Sequence, residues 1–268
     1  MLDRLKELVE YAFDSVPLYR RIYGSKPSIS NKENFNSLPA VTIGDFASCD
    51  IQDVISDMDD AGIILPTVQN KTIFPLPRLE SSYDRDIRYE IFYYLINQAD
   101  IPSGCRFLII TDNAHSYYCG EIVNNLLYYG YPAWMMILRD HKIDEVITWI
   151  SRLDPDCLVL GLDYIPCWST KSGVENLFTI NQYNEDLSST SLRHFDLYVL
   201  TELSWIGVRL PGENYIYPPD YFYIESVNSI LSITALESWL QPFIRYMTMD
   251  RGQITGNGRL SVTYIGEH

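Results

Sequence analysis

"CRFLIITDNAHSYYCGEIVNNLLYYGYPAWMMIL", Cys105 to Leu138, is the stretch whose reading decides the fold. It opens with an uninterrupted apolar run of strand length, Cys105 to Thr111. A polar turn follows. The segment from Cys119 to Gly130 then has helical apolar spacing and closes on a glycine, the residue best suited to a left-handed helix end. "YPAWMMIL" is a second apolar run. Strands that are apolar throughout, rather than alternating, are those covered on both faces. Strand, helix and strand in short succession therefore predict a parallel sheet. Downstream, "IDEVITWISRLD" predicts a helix with Ile143, Val146, Ile147 and Ile150 on one face, and "DCLVLGL" predicts a third strand. Upstream, "DRDIRYEIFYYLINQAD" has the stripe of an amphipathic helix at Ile87, Ile91, Phe92, Leu95 and Ile96.

The flanks differ in character. "LKELVEYAFDSV" places Leu5, Leu8, Val9, Ala12 and Phe13 at helical spacing, and Pro17 ends that helix. "SLPAVTIGDF" reads as a turn and a short helix with Thr42 as its N-cap. After Trp168 the stretch "TKSGVENLFTINQYNEDLSST" is polar and weakly patterned, and "FDLYVLTE" reads as a buried strand with a polar end. From Trp205 onward, short runs between Gly and Pro turns predict antiparallel strands: "WIGVRLPGENYIYPPDYFYIES", "SILSITAL" and "QPFIRYMT". Pro218 and Pro219 disfavour a central strand at that point. The expected organisation is α/β, with a helical and loop region over 1–80, an α/β sheet unit over 81–204 and a β-rich subdomain over 205–268.

The composition narrows the function. The 268 residues carry a net charge of −15, which repels phosphate backbones and anionic membrane surfaces. Neither nucleic acid nor membrane is an expected partner. The 21 tyrosines suit half-buried strand positions, or alternatively the walls of an aromatic pocket or interface. Five cysteines without Cys-x-x-Cys spacing indicate neither a disulfide framework nor a zinc site, and free thiols fit a reducing cytoplasm. No signal-peptide pattern or membrane-length apolar run is present, so a soluble cytoplasmic protein is expected.

Several motifs resemble the acyl-adenylate-forming enzymes, in particular the phenylacetate-CoA ligase branch. "LVEYAFDSVPLYRRIYG" followed by "LPAVTIGDF" is similar to that branch's N-terminal signature, a Val-Pro-x-Tyr turn before Leu-Pro-x-x-Thr-Lys-x-Asp. Ile43 stands where the lysine belongs. The span from Pro102 to Tyr164 resembles the family's α/β unit. "DLYVLTE" resembles Tyr-Gly-x-Thr-Glu, keeping Tyr198, Thr201 and Glu202, with Val199 in place of glycine. "RYMTMD" resembles Arg-Tyr-x-Thr-x-Asp and supplies Arg245 and Asp250. The resemblance implies the family's N-terminal domain: a parallel βαβ sheet and an antiparallel β subdomain. It also implies that Asp250 accepts from ribose hydroxyls, that Thr201 and Glu202 sit by the α-phosphate and a magnesium ion, and that Tyr198 lies against adenine.

Other parts of the pattern are missing. The family's Gly-rich phosphate loop belongs where "ILPTVQNKTIFPLPR" stands. No glycine occurs from Ile63 to Ser103, and Pro66, Pro75 and Pro77 lack N–H donors, so converging backbone donors cannot be assembled there. Lys71 and Thr72 alone could face a phosphate. The chain ends soon after Asp250, so the mobile C-terminal domain with its adenylation lysine is expected to be absent. The chain thus reads as a truncated, degenerate relative with no cofactor and no metal.

For acid–base work the residues point to His115, at the C-terminal end of a predicted parallel strand where open α/β sheets bind ligands, with Tyr117 or Glu202 as helper. A hydrogen-bonded loop histidine is the plainer alternative. Thr201, Tyr198, Arg245 and Asp250 are the candidate substrate-binding residues. Arg245 and Asp250 also fit a structural ion pair, and Cys119 fits a small buried thiol better than a nucleophile. The expected function is a non-adenylating enzyme acting on an activated acyl or thioester substrate, free or presented on a carrier protein, by acyl transfer, condensation or cyclisation in specialised metabolism. One alternative is a non-catalytic scaffold for an active homologue or carrier protein. Another is an ATP-dependent ligase completed by a partner. A homodimer is expected.

Overall fold

The computed structural model describes residues 1–57, 63–66, 77–112, 115–138, 143–162, 165–166, 169, 174–182 and 192–264. The helices are α1 (Leu2–Ser15), α2 (Pro17–Tyr23), α3 (Lys32–Asn36), α4 (Ile43–Ala47), α5 (Ser82–Gln98), α6 (Ser116–Tyr128) and α7 (Ile143–Leu153). The strands are β1 (Ile63–Pro66), β2 (Pro77–Glu80), β3 (Phe107–Thr111), β4 (Ala133–Ile137), β5 (Cys157–Gly161), β6 (Asn176–Ile180) and β7 (Arg193–Leu200). They continue as β8 (Ser204–Arg209), β9 (Tyr215–Ile216), β10 (Phe222–Val227), β11 (Ile230–Ala235), β12 (Tyr246–Gly256) and β13 (Arg259–Tyr264).

The chain forms two compact units. One comprises Met1–Ile91, Leu200–Ser204 and Pro218–His268; the other comprises Phe92–Val199 and Trp205–Tyr217. Residues 205–217 therefore belong with the α/β unit and not with the β-rich segment expected from position 205. The reason is pairing: β8 lies beside β7 and bonds antiparallel to β9.

In the α/β unit the strand order is β9-β8-β7-β6-β5-β3-β4. The pairs β4–β3, β3–β5, β5–β6 and β6–β7 are all parallel. As the continuous apolar runs predict, every residue of β3 and β5 is buried. Leu108 and Ile110 pack with Val146 and Ile150 of α7 on one face. On the other face, Thr111 and Gly161 meet Cys119 of α6. Opposite placement of the two helices is what right-handed crossovers from β3 to β4 and from β4 to β5 require. Each fully buried Leu or Ile here contributes roughly 1.5–3 kcal/mol. Ile147, expected on the buried stripe of α7, is exposed. Val146 and Ile150, one turn apart, already fill the contact, and Ile147 lies about 100° round the helix from Val146.

Strand β6, "NLFTI", is fully buried, although it sits inside the segment read as polar. Five apolar-leaning residues between polar flanks carry too little periodicity to announce a central strand.

In the other unit, β10, β11, β12 and β13 form an antiparallel meander. Strand β13 was not foreseen in the sequence. "QPFIRYMT" is only partly strand, since β12 starts at Tyr246 and runs on to Gly256. Pro17 separates α1 from α2, as expected. Thr42 caps α4 in a reciprocal capping box with Asp45. Val41 pairs with the start of β12: its N–H donates to the Arg245 carbonyl at 3.1 Å, and its own carbonyl accepts from Met247 at 2.8 Å. The N-terminal Leu-Pro-x-x-Thr segment and the Arg-Tyr segment, remote in sequence, thus form one backbone ladder. Phe46, Phe243 and Tyr246 pack their rings at this junction.

Candidate functional site

The α/β unit places a histidine and a carboxylate together at the C-terminal end of β3. After Thr111 the chain turns at Asp112, whose Oδ1 accepts from the backbone N–H of His115 at 2.9 Å. This Asx-type turn aims the chain into α6. The same oxygen lies 2.9 Å from His115 Nδ1. A carboxylate at Nδ1 fixes the tautomer with the proton there, which makes Nε2 the basic nitrogen. The imidazole is mostly buried, with 14% of the side chain exposed.

Close packing holds this corner. A Cβ on Gly161 would stand 2.3 Å from Cys119 Sγ, 3.0 Å from Thr111 Oγ1 and 3.2 Å from His115 Cβ. Only glycine at the end of β5 lets α6 approach this closely. Thr111 also donates to the Gly161 carbonyl at 3.1 Å. Burial pushes the Cys119 thiol up to about 11, so it is a packed thiol and not a thiolate nucleophile.

The other candidates of this unit have different neighbours. Tyr117 donates to Glu121 Oε1 at 2.7 Å along α6. Tyr198 on β7 is fully buried, its ring 5.7 Å from that of Tyr215. Tyr215 in turn donates to the buried Asp196. Asp196 also accepts from Thr179 at 2.5 Å and from the Gln182 N–H at 2.8 Å. Burial raises the Asp196 pKa above its ordinary value despite these donors.

In the β-rich unit, Thr201 donates to Glu202 Oε2 at 3.0 Å, and both residues are buried. The hydroxyl of Tyr246 is hydrogen-bonded to Glu202, and its pKa is raised by burial, by the Glu202 charge and by that bond. Asp250 is fully buried, its N–H donating to Thr248 at 3.1 Å. Glu202 also lines a small, half-open cleft. One wall of the cleft carries Arg78, Glu80 and Arg88: Glu80 lies 2.8 Å from Arg78 and accepts both Nε and Nη2 of Arg88, at 2.9 and 3.0 Å. Arg245 is engaged elsewhere. Its Nε donates to Glu225 at 3.0 Å and its Nη1 to the Leu38 carbonyl.

The structure thus brings Thr201, Glu202 and Tyr246 together in one unit, and Asp112 with His115 in the other. Asp112, Tyr246 and the Arg78–Glu80–Arg88 cluster were not foreseen. The Asp-x-x-His spacing was visible as a signal for the first, whereas the others depend on tertiary contacts. Lys71 and Thr72 lie outside the described residues. Among the described residues, no group of three metal-ligating side chains is assembled and no helix is long and apolar enough to cross a membrane.

No protein-family model matches the chain, and no curated protein matches it in sequence. Solved structures do match. An open conformation of 2-hydroxyisobutyryl-CoA ligase, in complex with 2-HIB-AMP and CoA, superposes with a TM-score of 0.77 at 13% identity, covering 97% of this chain and 72% of that one. The o-succinylbenzoate CoA synthetase of Bacillus subtilis, in complex with its acyl-adenylate intermediate, gives 0.55 at 12% identity, with 92% and 61% covered. An amide bond synthetase from Marinactinospora thermotolerans gives 0.53 at 14% identity, with 77% and 49% covered. The chain therefore spans between about half and three quarters of these proteins and has the fold of the N-terminal domain of acyl-adenylate-forming enzymes.

Proposed function

We propose that the protein is an enzyme that works on an already activated acyl group, a thioester on CoA or on a carrier protein, and transfers, condenses or cyclises it without forming an adenylate. The observation that carries this reading is the 2.9 Å contact between His115 Nδ1 and Asp112 at the C-terminal end of β3. A base oriented by a carboxylate, at the strand end where open α/β sheets bind ligands, is equipped to take a proton from an attacking nucleophile. One of the similar structures holds an acyl-AMP and CoA, which favours an acyl substrate for this fold. Two features disfavour adenylation: the segment 63–103 has no glycine, and Asp250 is fully buried, away from any ribose hydroxyl in solvent.

Two measurements test it together. Calorimetry with ATP and magnesium should show no dissociation constant below about 10 μM, roughly −7 kcal/mol. A panel of acyl-CoA and carrier-protein thioesters should show thiol release that depends on His115. Tight ATP binding with pyrophosphate release from a free acid would replace this reading with that of a ligase. A scaffold role has its own support, in that Arg245 is engaged by Glu225 and the Leu38 carbonyl. It would prevail if no thioester were consumed.

A further inference from the structure

Gly161 sets a mechanical problem at the corner that holds His115. Close packing on Cys119 requires glycine there, yet a glycine restrains the direction of its own carbonyl less than any other residue. That carbonyl carries the corner. It accepts from Thr111 Oγ1 at 3.1 Å and from the Asp112 N–H at 3.4 Å. Asp112 in turn holds the His115 ring. Both ladders of β5 end by this point, with Thr111 opposite Gly161 toward β3 and Leu160 opposite Thr179 toward β6.

Gln182 supplies a tie beyond the ladders. Its Nε2 donates to the carbonyl of Leu162, one residue past Gly161, at 3.3 Å. Its backbone is anchored at both ends: the N–H donates to Oδ1 of the buried Asp196 at 2.8 Å, and the carbonyl accepts from Arg209 Nη2 at 2.9 Å. Asn181 sets its position. With φ at 56°, a conformation asparagine tolerates better than most residues, Asn181 brackets Val199. Its Nδ2 donates to the Val199 carbonyl at 2.9 Å, and its Oδ1 accepts the Val199 N–H at 2.8 Å. Hydrogen bonds and one peptide link therefore lead from Asp196 on β7, through Gln182 and the end of β5, to Asp112 and the imidazole.

We propose that Gln182 is a positioning residue for the Asp112–His115 pair. By holding the Leu162 carbonyl it limits the swing of the peptide at Gly161, and so keeps the Gly161 carbonyl aimed at the Asp112 N–H. The carboxylate then stays at Nδ1, and the proton stays on that nitrogen. An amide side chain suits the task, because the Leu162 carbonyl can only accept and Nε2 can only donate. A carboxylate at 182 would meet that carbonyl with no proton to give. The role rests on the reading of His115 as the base, but the geometry it secures is measurable without that chemistry.

Long-range proton–nitrogen NMR of the imidazole rings reads the tautomer directly. The His115 signals are assigned by their loss in His115→Gln. In alkaline buffer, where imidazole is neutral, the wild type should show mainly the Nδ1–H form. Gln182→Met is similar in length but lacks the donor. It should lower the ratio of Nδ1–H to Nε2–H roughly fivefold, the worth of one hydrogen bond of ordinary net strength. Gln182→Glu keeps the shape, also lacks the donor, and should act in the same direction, so it decides the matter if the methionine variant does not fold. A wild-type ratio in a folded variant, even one with a lowered melting temperature, would leave Gln182 a structural tie and overturn the proposal. A wild type dominated by Nε2–H would overturn it too, since no oriented tautomer would be there to secure. The ratio is read without substrate, so failure of the thioester assay bears on the proposed chemistry alone.

Discussion

His115 Nδ1 and Asp112 Oδ1 lie 2.9 Å apart, on a turn that the same aspartate oxygen closes through the His115 backbone N–H. One carboxylate both shapes the strand-to-helix corner and orients the ring. If His115 is the base, His115→Ala should lower thioester turnover by about 10²–10⁴-fold. Asp112→Asn should also lower turnover, because the carboxylate that orients the ring through Nδ1 is gone. Melting temperatures report whether either variant has lost its fold. Full activity in His115→Ala would remove the residue from the mechanism.

The Arg245–Glu225 pair is buried on both sides, with side chains 7% and 10% exposed. Breaking such a pair from one side strands a charge. Arg245→Ala should cost about 3 kcal/mol in urea denaturation. Burial already raises the Glu225 pKa, so Arg245→Ala combined with Glu225→Gln should recover part of the loss. Were Arg245 chiefly a substrate ligand, the single variant would keep its stability and lose affinity instead.

Gly161→Ala should destabilise the α/β unit by about 1–3 kcal/mol, since its Cβ would meet Cys119 Sγ at 2.3 Å. Removing the sulfur in Gly161→Ala, Cys119→Ala should restore part of that stability, a coupling readable from a double-mutant cycle. In the native protein, Cys119 should alkylate slowly at neutral pH, its thiol being pushed up to about 11.

Asp196 supplies a pH dependence. Burial raises its folded-state pKa above the ordinary 3.8, so the folded protein keeps this proton to higher pH than the unfolded chain. Its contribution to stability is full below 3.8 and is lost as pH rises through the folded value. Asp196→Asn does not titrate. Its stability relative to wild type should therefore improve between about pH 4 and pH 7 in paired urea melts. A constant difference over that range would show that the carboxylate is ionised throughout.

The sequence by itself determined the elements whose physics is local. Continuous apolar runs at β3, β4 and β5, helical spacing in α5 and α6, the proline between α1 and α2 and the Thr42 cap are all written in neighbouring residues. The same locality made His115 legible, because a histidine just past an apolar strand falls at a sheet's C-terminal edge. Only tertiary structure decided the rest. Strand β6 is central because β5 and β7 flank it, not because "NLFTI" announces itself. Arg245 turns to Glu225 and to Leu38, partners 20 and 207 positions away, which no motif spacing encodes. Glu202 acquires Tyr246 through the same folding that stitches Val41 onto β12. Local periodicity reports which face of an element is apolar. It does not report what that face meets, since packing and ion pairing join residues by distance in space and not along the chain.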